Sequence, residues 1–267
     1  KKGYLFTNTY LGDYPMFLPG GKEQIAGEYQ PGWMLLSYGK KVSVSSSLEG
    51  YPAENIVDED ARTAWVAQSN RDMEWAQVDL QRLSSIHAIQ VNFDEYGANQ
   101  KGAVSGVYQS YLIYASVNGE DWSLVVDYGT KKTDTPHDYI EFEEPFKARY
   151  IKLQNKEYMV SENFSVRDLR IFGKGQGSTP RAVNDFTVER DEADPCKARL
   201  CWEAVPDAQG YIVRYGIAGD KLYNNFQVMG ENTLEIGSLN KGVAYYFTID
   251  AYNENGITRT SRIKVCR

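Results

Sequence analysis

The chain has 267 residues, 42% of them hydrophobic and 24% charged, with a formal net charge of −7. Such a length holds one large or two ordinary soluble domains, and an acidic balance with only isolated doublets at Lys40-Lys41 and Lys131-Lys132 excludes a nucleic-acid partner, which needs clustered Lys and Arg. No apolar run approaches the roughly 20 residues of a membrane helix.

Helix-period apolar stripes are scarce. Tyr (20 residues), Val, Ile and Thr recur instead in short alternating runs, which suit a pleated, half-buried surface. The expected fold class is all-β. In chain order, Lys1 to Tyr38 is broken at Pro19-Gly20-Gly21 and Pro31-Gly32 and is too short to own a core. No signal peptide opens it, and its abrupt start at Lys1 is read as the expected removal of a leader or a larger upstream region.

A polar bend follows, Pro52 to Trp65, which crowds Asn55, Asp58, Asp60 and Thr63 into one turn. Those are hard oxygen ligands of the kind Ca²⁺ takes; the alternative is a solvated acidic turn. Trp75-Ala-Gln-Val-Asp-Leu80 and Ile86 to Phe93 alternate as strands. Tyr111 to Val117 and Glu120 to Val126 flank Asn118-Gly119, a pair that favours a tight hairpin. Tyr139 to Phe142, Arg149 to Leu153 and Asp168 to Gly173 complete a set of short strands, the pattern of a sandwich or jelly roll.

Gly173-Lys-Gly-Gln-Gly-Ser-Thr-Pro180 is Gly-rich and reads as a linker. The expected organisation is residues 1–38 as an N-terminal segment, 39–173 and 183–267 as domains, and 174–182 as the linker. All three cysteines, Cys196, Cys201 and Cys266, lie in the last third. Their spacing is not that of a metal site.

Motif-marked enzymes are not in evidence. The chain has two His, no Gly-x-Ser-x-Gly elbow, no phosphate loop and no His-Glu-x-x-His. Asp72/Glu74 and Glu143/Glu144 are sequence neighbours, not carboxyls set across a cleft as glycosidases require.

Five spaced signatures resemble the coagulation factor V/VIII type C family, also called discoidin-like, which includes carbohydrate-binding module family 32. They are the Ala53/Asp58/Thr63/Trp65 bend, Trp75-x-x-Val78-Asp79-Leu80, Ser116-x-x-Gly119-x-x-Trp122, Ala148-Arg-Tyr-Ile-Lys-Leu153 and Asp168-x-x-Ile171-Phe172-Gly173. The resemblance covers roughly Tyr38 to Gly173 and implies a discoidin-like jelly-roll β-sandwich. It also implies a structural Ca²⁺ held by Asp58 and Thr63, with Asn55, Asp60 and Asp168 completing the site. The family more often has Gly where Glu59 stands and Glu where Asp168 stands.

A glycan is the implied partner. Sugar recognition needs an aromatic platform beside planar polar groups, carried on loops at one end of a sandwich. Asn70, Arg71, Tyr96, His137, Tyr158 and Phe164 are the candidates. Each has a structural alternative: Tyr96 and Phe164 as core caps, Arg71 paired with Asp72 or Glu74, His137 as a solvated loop residue. Trp65, Trp75, Trp122 and Trp202 fall at family core positions and read as packing, and His87 reads as a buried histidine of an apolar strand.

From about Val183 the tail resembles a fibronectin type III domain. Leu200-Cys-Trp202, Gly210-Tyr-Ile-Val-Arg-Tyr215, Leu239 and Tyr245 carry the likeness. It implies a second β-sandwich with a tyrosine corner at Tyr245, and its topology implies a Cys196–Cys266 disulfide. Gly3 to Pro15 and Gly32 to Tyr38 resemble the end of glycoside hydrolase family 43 catalytic domains, which implies catalytic machinery upstream of Lys1. Asn163-Phe-Ser165 is a glycosylation sequon.

The combined expectation is a non-catalytic carbohydrate-binding region of a secreted, periplasmic or surface-attached bacterial glycosidase. Two readings stand beside it: an adhesion module for proteins or cell surfaces, and a structural buttress for an upstream catalytic domain. An active hydrolase ranks below both.

Overall fold

The computed structural model describes residues 18–19, 31–98 and 106–267. The chain divides into two compact units, 1–176 and 177–267. The first contains β1 (Leu18–Pro19), β2 (Pro31–Leu35), β3 (Lys41–Val44), a 3₁₀ turn (Ala53–Val57), β4 (Trp65–Val66), β5 (Trp75–Phe93), β6 (Gln109–Ser116), β7 (Ser123–Tyr128), β8 (His137–Tyr158) and β9 (Ser165–Gly175). All pairings are antiparallel, in the order β1-β2-β9-β5-β8-β6-β7, with β3 on β5 and β4 on β9.

Two long strands let one hydrogen-bonded network make both layers of a sandwich. The first half of β5 pairs with β3 and the end of β8; its second half pairs with the start of β8 and with β9. The register breaks between Asp79 and Ser84, where Gln81 has a φ of +66°. A bulge there bends the strand out of one layer and into the other. Ala76, Val78, Leu80, Ile113, Ile151 and Leu153 point inward from one layer, and Ile89, Val91, Leu169 and Ile171 from the other; all are buried. Fully burying one such side chain is worth about 1.5–3 kcal/mol. At Gly173 even a methyl group is excluded, because a Cβ would sit 1.9 Å from the Ser85 carbonyl oxygen.

Two details differ from the sequence expectation. β6 and β7 do form a hairpin, but the connection runs from Val117 to Trp122. The Asn118 side chain accepts hydrogen bonds from the amides of Glu120 and Asp121, both at 2.9 Å, so the turn widens around that side chain. Residues 31–38 are also no loose segment. β2 pairs with β9, Met34 opposite Gly173 and Leu35 opposite Phe172, and Leu35 packs with Ala88 and Phe172 in the core. The stretch Gly3 to Pro15 lies outside the described residues.

The second unit has two antiparallel sheets. β10 (Phe186–Arg190), β11 (Ala198–Trp202) and β14 (Thr233–Ile236) form one. β13 (Asn224–Met229), β12 (Gly210–Gly216), β15 (Tyr245–Asn253) and β16 (Gly256–Thr258) form the other, with β17 (Lys264–Cys266) on β15. Leu200, Trp202, Tyr211, Val213, Phe247 and Ile249 share its core. Tyr245 Oη accepts the Asn240 amide at 3.3 Å. The Gly-rich stretch is shared between the units: β9 continues to Gly175, while the Ser178 carbonyl accepts bonds from Asn253 and Asn255, both at 3.0 Å.

The expected Cys196–Cys266 disulfide is not formed; all three cysteines are free thiols. Arg190 engages the neighbourhood of both ends. Its guanidinium donates to the Pro195 carbonyl and lies against the Cys266 thiol.

Candidate functional site

The polar bend is closed on itself. Asp58 Oδ1 accepts the Asp60 amide at 2.8 Å, and Oδ2 accepts the Thr63 hydroxyl at 2.8 Å. Thr63 Oγ1 also lies 3.0 Å from the Asp60 carbonyl oxygen. Asn55 spends its amide on the Ala64 carbonyl at 2.8 Å, leaving its oxygen free of that bond. These bonds hold the oxygens of Asp58, Asp60 and Thr63 together.

Beneath the bend lies a buried charge cluster that the sequence reading did not identify. Glu59, 6% exposed, points down onto Arg170, 8% exposed. Arg170 Nε donates to Glu59 Oε1 at 2.9 Å, and Nη2 lies 2.9 Å from Oε2. Asp168, two residues before Arg170, faces the same side of β9. Its Oδ2 accepts from Asn92 Nδ2 at 2.8 Å, while its Oδ1 is buried without a hydrogen-bond partner. Burial pushes Glu59 up to about 7, against the pull of Arg170 and helped by Asp168 and Asp58. Burial likewise raises Asp168, with Arg170 and Asn92 opposing it.

Glu59 and Asp168 thus face one guanidinium, with Asp58 close enough to act on both carboxyls. With all three ionised, the cluster carries more negative than positive charge, and the orphaned Asp168 Oδ1 is the group left wanting a cation. That donor chemistry fits Ca²⁺. Among the described residues, no three His, Cys, Asp or Glu side chains already stand at metal-binding geometry. In sequence only the departure of Glu59 from the Gly of the resembling family marks the spot, with nothing to show its partner; in the structure Glu59 has φ +62°.

The loops meet at one end of the sandwich, as their mutual bonds show. Ala67 donates to the Phe164 carbonyl at 2.8 Å, Asp94 to Ser165 at 3.1 Å and Phe93 to Pro136 at 2.8 Å. Of the six residues expected to touch a ligand, three instead hold this end together. Phe164 is fully buried, edge-on to Trp65 and Tyr158. Tyr158 is 2% exposed, with its hydroxyl on the Asp94 carbonyl and beside Ser165. Asn70 donates to the carbonyls of Ser161 at 2.8 Å and Tyr158 at 3.3 Å. An aromatic among hydrophilic neighbours reads like a platform in sequence, yet here the loop folds its aromatics under.

The other three stay open. Arg71 is exposed. Its expected partners are taken: Asp72 pairs with Lys156 at 2.6 Å, and Glu74 accepts the hydroxyls of Ser45, Ser46 and Ser69. Burial would raise Glu74, but those hydroxyls outweigh it and hold the carboxyl below its usual range. His137 is exposed, with Nδ1 3.1 Å from Asn92 Oδ1. Tyr96 is half-buried against Tyr51, ring centroids 4.9 Å apart at 70°. Its neighbours Asn99 and Gln100 lie outside the described residues.

The tryptophans divide. Trp65 and Trp202 are core residues. Trp75 and Trp122 are half-exposed and lie on the outer face of a layer, because Trp75 alternates with buried Ala76 and Val78. His87 is also only half-buried and stacks on Trp33, centroids 4.9 Å apart.

No helix among the described residues is long and apolar enough to cross a membrane. Two curated relatives are lactadherins. The rat protein is 33% identical over 110 residues, 39% of this chain and 25% of its own length; the mouse protein is 32% identical over 110 residues, 39% and 23%. The chain therefore spans about a quarter of these relatives. Among solved structures, a chitosan-binding module of a Paenibacillus chitosanase/glucanase is similar with a TM-score of 0.44 and 20% identity, over 52% of this chain and 98% of that one. A family 32 module of Clostridium perfringens NanJ, solved with galactose, has a TM-score of 0.43 and 17% identity, over 52% and 98%. Residues 41–168, the stretch whose motifs resemble the discoidin-like family, match the model of the F5/8 type C domain.

Proposed function

We propose that the first unit is a carbohydrate-recognition module that binds a glycan at its loop end and performs no chemistry of its own. The observation that carries this reading is Tyr96, held edge-on by Tyr51 at 4.9 Å. It sits at the end where the guanidinium of Arg71, without an ion-pair partner among the described residues, and the ring of His137 are also exposed. A fixed ring offers the apolar face a sugar needs, and planar donors read its hydroxyls. The loops beneath are stitched to one another, so little ordering remains to oppose binding.

In this reading the module is the non-catalytic part of an extracellular polysaccharide-degrading glycosidase whose catalytic domain lies upstream. The second unit serves as a fibronectin type III-like spacer. Tethering raises the effective concentration of a weak site. Ca²⁺ would be held by Asp58, Asp60, Thr63 and Asp168, with Asn55 beside them, and would pin the bend and neutralise the buried carboxylates.

A glycan array on the intact chain tests the reading. Saturable binding weakened by Tyr96→Ala and Arg71→Ala supports it; no binding at high protein concentration sinks it. An adhesion role has one feature in its favour: Ile217 and Tyr223 of the second unit are 62% and 79% exposed. It predicts protein ligands lost on changing those two residues.

A further inference from the structure

The outer face of the layer β3-β5-β8-β6-β7 carries a feature that the loop end does not use. Register places Ser43, Gln77, Lys152, Tyr114 and Leu124 in one row across all five strands. Four gaps of about 4.8 Å make this row about 19 Å long. Trp75 and Gln154 flank it on one side and Tyr150 on the other. Trp122 leans over the centre, 6.5 Å from Tyr150. The rings are half-exposed, and Leu124 is 48% exposed.

Lys152 sits in the middle of these rings. Its Nζ is 4.1 Å from the Trp122 ring centroid and 5.3 Å from that of Tyr114. Among the described residues it has no carboxylate partner, although the chain has 36 acidic residues against 29 basic ones. The nearby acid, Asp79, is already bound in a fork by Arg149, at 2.8 and 2.9 Å. Burial alone lowers the Lys152 pKa, consistent with an ammonium that has given up water without gaining an anion.

An apolar protein-docking patch would not place Ser43, Gln77 and Lys152 between its rings, since such interface cores are depleted of charge. Rings, an amide at Gln77 and a cation that, unlike the Asp79-bound Arg149 over Tyr150, has no carboxylate fit a sugar chain that brings its own. We propose that this sheet face is a second glycan site, distinct from the loop end, and that it takes an acidic polysaccharide of the uronate class. Trp122, Tyr114 and Trp75 would stack on sugar rings, and Lys152 would pair with a uronate carboxylate. The proposal does not depend on the loop-end reading.

The test is calorimetric titration of the intact chain with oligogalacturonate and with the same oligomer fully methyl-esterified, which keeps the sugar and removes the charge. The acid form should bind about tenfold more tightly than the ester, the scale of one charge-assisted hydrogen bond. Lys152→Gln should erase that preference, Lys152→Arg should keep it, and Trp122→Ala should weaken both forms. Neutral glycans bound at the loop end should be untouched by Lys152→Gln, which separates failure of one site from failure of the other. Equal binding of acid and ester, no binding of either, or a preference that survives Lys152→Gln overturns the proposal. Sedimentation showing that the face pairs with a second copy of the chain also overturns it.

Discussion

Glu59 and Arg170 make a prediction that depends on the sign of a buried charge. In chelated, metal-free protein, the Glu59 carboxyl is pushed from an ordinary value near 4.5 up to about 7. The folded state then holds a proton at pH values where the unfolded chain has lost it. Stability is therefore greatest with Glu59 protonated and is lost as pH rises through about 7. At about 1.4 kcal/mol per pH unit, the full difference is about 3.5 kcal/mol for this one group. Asp168, also raised by burial, works in the same direction. Glu74 and Asp79 oppose it but are held below their ordinary ranges, so their contribution is lost only at lower pH. Unfolding by guanidinium, with hydrogen exchange read at the amides of β9, should therefore show stability rising as pH falls from 8 to 5 before acid reverses it. Glu59→Gln should flatten that rise. Arg170→Met should cost about 3–5 kcal/mol at pH 8, because it leaves the buried Glu59 carboxylate without its cation. Flat wild-type stability between pH 5 and 8, or parallel curves for wild type and Glu59→Gln, would refute the reasoning.

Adding Ca²⁺ at neutral pH should raise the melting temperature of the first unit, EDTA should reverse the rise, and Asp58→Asn should abolish it; equal melting curves with and without the ion count against the metal. Phe164→Ala should cost about 3–5 kcal/mol in denaturant titration, as for other fully buried rings, whereas Arg71→Ala should leave stability unchanged and act only on binding. Tyr158→Phe should cost only about 1 kcal/mol, since the Asp94 carbonyl keeps the Ser165 hydroxyl at 3.0 Å. Thiol titration of unfolded, unreduced protein should count three free thiols; one would signal a disulfide this structure lacks.

The layers and their register were legible because strand alternation is local. Trp75, Gln77 and Asp79 alternate with Ala76, Val78 and Leu80, and the structure sorts them to opposite faces as that period demands. The same alternation, read strictly, already places Trp75 outside, against its likeness to a core tryptophan. Loop residues offered no such period. Tyr158 and Tyr96 look alike in sequence, and only the return of the chain at Asp94 and Ser165 buries one and leaves the other open. The Glu59–Arg170 pair was illegible for another reason. Its members are 111 positions apart, and nothing local to Arg170 announces that a bend far upstream will close over it.

That pair also bears on how the proposed Ca²⁺ would act on the bend. Asp58, Asp60 and Thr63 already bond one another, so the loop's shape does not require a metal. What remains unbalanced is charge: Arg170 answers one of three nearby carboxylates. A proton on Glu59 relieves the excess in acid, and a divalent cation would relieve it at neutral pH by reaching the bare Asp168 Oδ1. Both act on the same buried cluster, so one disfavours the other. Binding of Ca²⁺ should therefore weaken as pH falls from 7 to 5, and at pH 6 it should release protons into the buffer. Calorimetry in two buffers of different ionisation enthalpy reads that release directly. An observed heat independent of the buffer would mean that ion and proton occupy separate sites, and that Glu59 belongs to the fold alone.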